Sequence, residues 1–311
     1  MIIRGLDFLG RYATGLMATS VFVALVLPGL AHFLSPLLTP SIWGLLFLAM
    51  VRLDWVSVRQ SLRRGRVGAV ALIWMLVASP LLMWLFVSHV NLAPGIAAAM
   101  LLMAASAPLN STPALAMMMG LNGALALVVM VAATFILPIT LPIIALEFLG
   151  IHLDMSALEM AGRLAAMVVS ALVASFLVRR FFGTDRISAW KNRADGLVVI
   201  LMTVFAIAIM DGVTAVLIAD PLRIVLITLL SFAANALLQL IGFGLFNKLG
   251  WKDALTLGFV GGNRNMGLIL AVLPGGIDPD IRLYFALAQF PMYVYPALLK
   301  PLVHRWSALK E

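Results

Sequence analysis

The chain has 311 residues, of which 63% are hydrophobic and only 11% are charged, and its mean hydropathy is +1.10. Soluble globular domains carry about 25% charged residues, so the composition excludes a soluble fold, and the absence of cysteine excludes disulfides, thiolate metal sites and a cysteine nucleophile. The net charge of +8 does not indicate nucleic-acid binding, because the basic residues lie in short segments between apolar runs.

Apolar runs follow one another along nearly the whole chain. A transmembrane helix needs about 20 predominantly apolar residues. Ten such spans fit the sequence: 12–34, 38–58, 67–88, 93–121, 123–148, 157–180, 196–218, 223–247, 252–275 and 281–304. The sequence therefore predicts an all-α integral membrane protein of about ten transmembrane helices.

The distribution of basic residues gives an orientation. The two largest groups follow spans 2 and 6: Arg59, Arg63, Arg64, Arg66, Arg179, Arg180, Arg186, Lys191 and Arg193. With ten spans these loops lie on the same side as both termini, whereas the loops of the opposite side hold only Arg223 and Arg282. The positive-inside rule therefore predicts a multi-pass protein of the inner (plasma) membrane with both termini cytoplasmic.

The ten spans divide into two sets of five. Because five is an odd number, residues 1–150 (spans 1–5) and 151–311 (spans 6–10) would cross the membrane in opposite orientations. The fourth span of each half is interrupted by polar residues. Paired interruptions at corresponding places indicate an inverted-repeat transporter and mark its binding site.

The interruption of span 4 is the run Asn110-Ser111-Thr112-Pro113. Asn, Ser and Thr are favoured helix N-caps, and Pro suits the first helical position, so a second half-helix is expected from Pro113 to about Gly120. Its N–H groups and positive dipole end would favour an anion. The alternative is a proline kink that the Ser and Thr side chains compensate.

The interruption of span 9 is Gly261-Gly262-Asn263-Arg264-Asn265. An arginine in the middle of a span costs about 2.5–3.5 kcal/mol on insertion scales, so Arg264 is expected to face protein or water and to have a partner. Two roles are open: Arg264 contacts an anionic substrate directly, or it ties free carbonyl groups together or replaces a bound cation. Asp211, near the outer end of span 7, is a candidate coupling group and a candidate partner of Arg264 or Arg163.

Two further polar residues are weaker candidates. Thr134 in span 5 is expected to face the break in span 4, and Gln289 in span 10 precedes Pro291 and is expected to line a cavity. The sequence contains no HExxH or GxSxG motif and no pair of aspartates in its spans. We therefore expect no catalytic residue and no enzyme activity.

The segment 46–55, Leu-Phe-Leu-Ala-Met-Val-Arg-Leu-Asp-Trp, precedes a basic loop and an apolar span that contains Pro80. Together with the two interruptions, it resembles the bile acid/sodium symporter family, which is related to arsenite and pantoate transporters, over nearly the whole chain. The resemblance implies that helices 4 and 9 cross near mid-membrane. It also implies a core domain of spans 3–5 and 8–10, a panel domain of spans 1, 2, 6 and 7, and a substrate bound between them near the crossing.

The resemblance further implies two sodium ions, and here the sequence departs from the family. Ser111 and Thr112 keep the hydroxyl groups of span 4, and Thr134 matches one ligand of span 5. Three other ligand positions of the family, a Gln, a Glu and a Gln, are occupied by Met75, Val260 and Arg264. We therefore expect no cofactor; a sodium ion is the only candidate, and its coupling to transport is doubtful.

The sequence thus predicts a secondary transporter that moves a small organic anion by alternating access, coupled to sodium, to protons through Asp211, or to no ion. The alternative is a membrane protein of the same fold that binds or senses a ligand without transporting it. The expected partners are the organic anion and the lipid bilayer, with no nucleic acid, and the oligomeric state is open.

Overall fold

The structure is a computed structural model that describes residues 20, 22–53, 65–148, 151, 153–183, 186–187 and 190–308. These residues form helices and connecting turns, with one isolated β-bridge and no strand. In chain order the helices are α1 (Pro28–Leu34), α2 (Leu38–Val51), α3 (Gly65–Ile73), α4 (Ser79–Ser88), α5 (Pro94–Ala105), α6 (Thr112–Met118), α7 (Gly123–Pro142), α8 (Ala157–Phe182), α9 (Lys191–Ala208), α10 (Val213–Ala219), α11 (Pro221–Leu245), α12 (Trp251–Gly262), α13 (Met266–Leu270), α14 (Pro279–Leu287) and α15 (Gln289–Ala308).

Six helical segments among the described residues are long and apolar enough to cross a membrane: Pro28–Val51, Gly65–Ser88, Gly123–Glu147, Ala157–Phe182, Gly196–Ala219 and Pro221–Leu245. Each has at least 24 residues, which exceeds the roughly 20 that a span requires. The prediction of an all-α membrane protein is confirmed at this level. The count of ten spans, the inverted repeat and the orientation of the termini stay predictions.

The chain forms two compact units. Unit 1 consists of Met1–Leu53 with Ala165–Ile224, and unit 2 of Asp54–Leu164 with Val225–Glu311. The predicted repeats, 1–150 and 151–311, and the predicted core and panel domains stay predictions.

In unit 1, α9 packs against α1 and α2. The end of α2 is held by Arg179, whose Nη1 donates to the carbonyl oxygens of Val51 and Leu53 at 3.0 and 2.6 Å. The last carbonyl groups of a helix have no partner within the helix, so this arginine satisfies them from α8.

Residues 35–37 differ from the prediction, which places a loop there between spans 1 and 2. The helical run continues through a 3₁₀ turn, Ser35–Leu37, from α1 into α2. Pro36 lies in the first turn of this short helix, where its missing N–H sacrifices no hydrogen bond. Residues 12–19 and 21 of predicted span 1 and the basic residues 59, 63 and 64 lie outside the described residues.

In unit 2, α5 packs against α4 and α14, and α7 packs against α3, α6 and α12. Every residue of 99–108 is buried. A helix that is apolar on all sides belongs in a protein interior or a membrane, and here the C-terminal half of α5 and the residues after it lie inside unit 2.

Helices α11 and α12 approach each other closely along a line of glycines. A Cβ atom at Gly258 would lie 2.6 Å from the carbonyl oxygen of Gln239, and one at Gly262 would lie 2.8 Å from that of Asn235. A Cβ at Gly242 would lie 3.0 Å from the Cα of Gly258. Small residues allow membrane helices to bring their backbones together, so these glycines set the distance between α11 and α12.

Candidate functional site

The helices of predicted spans 4 and 9 are both interrupted. Residues 106–111 separate α5 from α6, and residues 263–265 separate α12 from α13. We call these two segments together the crossover. The first residue of each, Ser106 and Asn263, has an extended backbone, so neither interruption is a proline kink within a continuous helix.

The two segments of the crossover bind each other through their backbones. Pro108 and Arg264 face each other in an antiparallel bridge. The flanking hydrogen bonds run from Leu109 N–H to Asn263 O at 2.9 Å and from Asn265 N–H to Ala107 O at 2.7 Å. Buried backbone groups need partners, and non-helical backbone at membrane depth must be enclosed by protein or line a cavity. Each break therefore supplies partners that the other requires.

Arg264 lies in the crossover and is 0% exposed. Its guanidinium group donates to four oxygen atoms of unit 2: Nε to Gly261 O at 2.6 Å, Nη1 to Met75 O at 3.0 Å and Ser106 O at 2.7 Å, and Nη2 to Ser79 Oγ at 2.7 Å. Four of the five N–H donors of a guanidinium are thus engaged. No carboxylate is among the partners of Arg264 in the described part of the chain.

These contacts bear on the two roles that the sequence leaves open for Arg264. The predicted need for a partner is met by neutral oxygens. An arginine usually holds a carboxylate through two parallel N–H···O bonds, and only one N–H of Arg264 is left over. The geometry therefore favours the tying or cation-replacing role over a direct two-bond grip on an anion.

Two of the acceptors come from a defect in the helix of predicted span 3. Residues Trp74–Ala78 form a π-helical turn between α3 and α4, and Pro80 follows without an N–H to donate back into that turn. The Met75 carbonyl accepts from Arg264 and from the Ser79 hydroxyl, the latter at 2.8 Å. The resemblance indicates the position of Met75, but the sequence does not identify the Met75 carbonyl or Ser79 as partners of Arg264, although a proline inside an apolar span is a signal of such a defect.

Three polar side-chain oxygens in the crossover or at the start of α6 are buried without a hydrogen-bond partner among the described residues: Asn110 Oδ1, Thr112 Oγ1 and Asn263 Oδ1. Backbone hydrogen bonds link the three residues through Leu109, because the Thr112 N–H donates to Leu109 O at 2.9 Å and the Leu109 N–H donates to Asn263 O. A buried polar group without a partner costs about 1–3 kcal/mol. A cluster of them indicates a place where a ligand completes the hydrogen bonds.

The indole N–H of Trp74 is a further buried donor without a partner in the described ranges. A Cβ at Gly261 would lie 3.1 Å from this nitrogen, so the absence of a side chain at Gly261 leaves room for the indole ring.

The prediction that Gly261 and Gly262 belong to the break is wrong. Both lie in the last turn of α12, and the break begins at Asn263.

Three other candidate side chains are buried, and each bonds to nearby backbone. Asn265 Oδ1 accepts from Leu268 N–H at 3.1 Å and caps α13, Thr134 Oγ1 donates to Met130 O at 2.8 Å, and Gln289 Nε2 donates to Phe285 O at 3.0 Å. These bonds are local, so they do not by themselves assign the residues to a binding site.

The run Asn110–Pro113 begins α6, but without the predicted side-chain cap. Ser111 is the N-cap residue and makes no side-chain capping bond, and Pro113 occupies the first turn as predicted. The helix has seven residues and ends at Met118, short of Gly120. A macrodipole is the sum of aligned peptide dipoles, so a helix of this length contributes little to anion binding.

Asp211 pairs with neither of the predicted arginines among the described residues. In unit 1 its Oδ2 lies 3.3 Å from His32 Nδ1, and in unit 2 Arg163 pairs with Glu159 at 2.6 Å. Asp211 lies between α9 and α10, where Gly212 adopts a φ of 84° that glycine favours. The predicted span at 196–218 corresponds to the segment Gly196–Ala219, which is long and apolar enough to cross a membrane, and the turn at 209–212 between α9 and α10 lies within it.

The residues at the second sodium position implied by the resemblance do not fit a sodium ion. The Val260 side chain is apolar, the Met75 carbonyl is engaged by the guanidinium, and the charge of Arg264 would repel a cation beside it. No group of three or more His, Asp or Glu side chains that could hold a metal ion occurs in the described part of the chain.

No family model matches the chain, and no curated protein sequence matches it. The resemblance to the bile acid/sodium symporter family therefore stays a prediction that rests on the motifs quoted above.

Proposed function

We propose that the protein is a secondary transporter that moves a small organic anion by alternating access and binds it at the crossover. The observation that carries this proposal is that oxygens of Asn110, Thr112 and Asn263 are buried with no partner among the described residues, while Arg264, which follows Asn263 in the chain, is buried with no carboxylate partner in the same part of the chain. Buried polar atoms in native proteins nearly always have partners. A transported substrate is a partner that comes and goes, so the site must tolerate its absence.

The charge of Arg264 supports an anion as the substrate. Its four partners are neutral, so they leave the unit positive charge uncompensated. An anion about 7 Å from such a charge gains about 2 kcal/mol at an effective dielectric constant of about 20. The anion benefits from this field without displacing any of the hydrogen bonds of Arg264. The Thr112 hydroxyl can donate to its carboxylate, whereas the Oδ1 atoms of Asn110 and Asn263 can only accept from a hydroxyl or N–H group that the substrate carries.

Two features of the fold are those expected of a secondary transporter. Broken helices that meet within the membrane are the usual place for the substrate of a secondary transporter. The residue ranges of the two compact units also separate predicted spans 1, 2, 6 and 7 from predicted spans 3–5 and 8–10, as expected for a carrier with two domains.

The test is uptake of radiolabelled acetate, lactate, succinate and citrate into liposomes that contain the purified protein. We expect saturable uptake of at least one of these carboxylates and a loss of tenfold or more in Thr112→Val. The matched control is Thr140→Val, because the Thr140 hydroxyl bonds to Ile136 O within its own helix. Binding of a carboxylate without uptake would contradict the proposal and favour a ligand-binding protein of the same fold.

A further inference from the structure

The guanidinium of Arg264 holds together parts of unit 2 that are far apart in sequence. Its acceptors belong to the π-helical turn after α3, the start of α4, the end of α5 and the last turn of α12. Three are backbone carbonyl oxygens and one is a hydroxyl oxygen. Converging neutral oxygens of this kind are ligands that proteins use for small cations, and here a cationic side chain lies among them.

We propose that the guanidinium of Arg264 replaces a bound monovalent cation: it binds the oxygen atoms at the crossover that a dissolved cation would otherwise bind. The wild-type protein then needs no free cation to assemble this part of its structure. A variant without the guanidinium leaves an oxygen-lined site that takes a small cation from solution. The guanidinium ion is the best occupant of that site, because it reproduces the planar set of donors that the four oxygens surround.

The shape of the group makes the proposal specific. Lysine would restore the charge, but its ammonium is a compact point with three donors, and the oxygens of Met75, Ser106, Ser79 and Gly261 surround a wider, planar group. Arg264→Lys is therefore expected to be intermediate between wild type and Arg264→Ala. A neutral planar molecule such as urea offers similar N–H donors without the charge, so it distinguishes a cation site from a simple cavity.

The proposal does not rest on transport, because its readout is the stability of the protein without substrate. Its failure would leave the uptake experiment unaffected, and a failure of uptake would leave the cation experiment unaffected.

The experiment measures the thermal unfolding of detergent-purified wild type, Arg264→Ala and Arg264→Lys. The matched control is Arg282→Ala, because Arg282 is exposed and donates to Gly275 O. Each protein is heated in choline chloride, with and without about 10 mM guanidinium chloride or urea, concentrations too low to unfold proteins. Wild type is also compared in sodium, potassium and choline chloride.

We expect Arg264→Ala to unfold at a lower temperature than wild type. Guanidinium should raise the unfolding temperature of this variant by about 3 °C or more, as expected when the ligand concentration is about tenfold above Kd, and urea should not change it. Wild type and Arg282→Ala should respond to neither compound, and wild type should not distinguish the three chlorides. If Arg264→Ala folds only when it is purified with guanidinium, and not with urea, that result also supports the proposal. A sodium- or potassium-specific rise in wild type, equal effects of urea and guanidinium on Arg264→Ala, or no recovery with guanidinium would overturn it.

Discussion

Individual polar side chains of unit 2 differ in whether the protein satisfies them. Thr112 and Thr134 are both 0% exposed. The Thr134 hydroxyl donates to Met130 O at 2.8 Å, whereas the Thr112 hydroxyl has no partner among the described residues. The Thr134 hydroxyl therefore contributes to stability, whereas the Thr112 hydroxyl lowers stability until a ligand binds it.

Thr112→Val replaces this hydroxyl by a methyl group of similar volume. We expect the unfolding temperature to stay the same or rise, because the change removes a buried polar group whose desolvation costs about 1–3 kcal/mol. Thr134→Val is the control and should lower the unfolding free energy by about 1 kcal/mol, because it removes a hydrogen bond that is made. Thermal unfolding in detergent measures both. Equal losses in the two variants would mean that Thr112 has a partner within the protein.

For single residues, the sequence predicts that a buried polar group requires a hydrogen-bond partner better than it predicts which residue is that partner. The cost of an arginine in an apolar span predicts that Arg264 has a partner, and it has four. Three of the four oxygens belong to Met75, Ser79 and Ser106, which are remote in sequence, and two of these are backbone atoms that every residue carries. Side-chain chemistry therefore could not identify them.

Among the elements, the helices and both breaks follow from local sequence. Asn263 ends α12, and Pro113 lies in the first turn of α6, because proline and the polar residues beside it disfavour a continuous helix. The conformation of the two glycines before Asn263 does not follow from local sequence. Gly261 and Gly262 remain helical, because their function is close contact with Trp74 and α11, and such contacts depend on residues elsewhere in the chain.

Gly258→Ala tests the close contact of α11 and α12. Its Cβ would lie 2.6 Å from Gln239 O and 2.9 Å from Phe243 N, and these backbone atoms cannot move without separating the helices. We expect a loss of about 1–3 kcal/mol in the unfolding free energy.

The matched control for this prediction is Gly244→Ala in α11. A Cβ at Gly244 would have nothing within 4 Å, so the change should stabilise the helix by up to about 1 kcal/mol through higher helix propensity. Detergent unfolding curves of both variants give the comparison. A Gly258→Ala protein as stable as Gly244→Ala would show that α11 and α12 are not in this contact.

For the whole molecule, composition determines the class of protein, because no soluble fold could cover this much apolar surface. The number of spans is less directly accessible. Six helical segments meet the length and hydropathy of a span, and the predicted fourth and ninth spans do not, because each is divided into helices too short to cross a membrane alone. Crossings by both divided segments would raise the six to eight, so the count of ten also depends on predicted span 10 and on whether predicted spans 1 and 2, which share the segment Pro28–Val51, are separate crossings.

Labelling of single cysteines measures directly whether the second divided segment crosses, because the chain has no cysteine of its own. Lys248 precedes α12, and Arg282 lies in α14, after α13; both are exposed. Ten spans predict that a membrane-impermeant thiol reagent labels Arg282→Cys in intact cells and Lys248→Cys only after permeabilisation. Labelling of both from the same side would contradict a crossing by α12 and α13.

The central claim is that the crossover binds a small organic anion, and the most direct test is the thermal unfolding of purified protein with acetate, lactate, succinate or citrate. A ligand that binds the native state raises its unfolding temperature by mass action. The account predicts a saturable rise with at least one carboxylate in wild type and Thr140→Val, and none in Thr112→Val. A rise that Thr112→Val retains in full, or no rise with any of the four carboxylates, would contradict it.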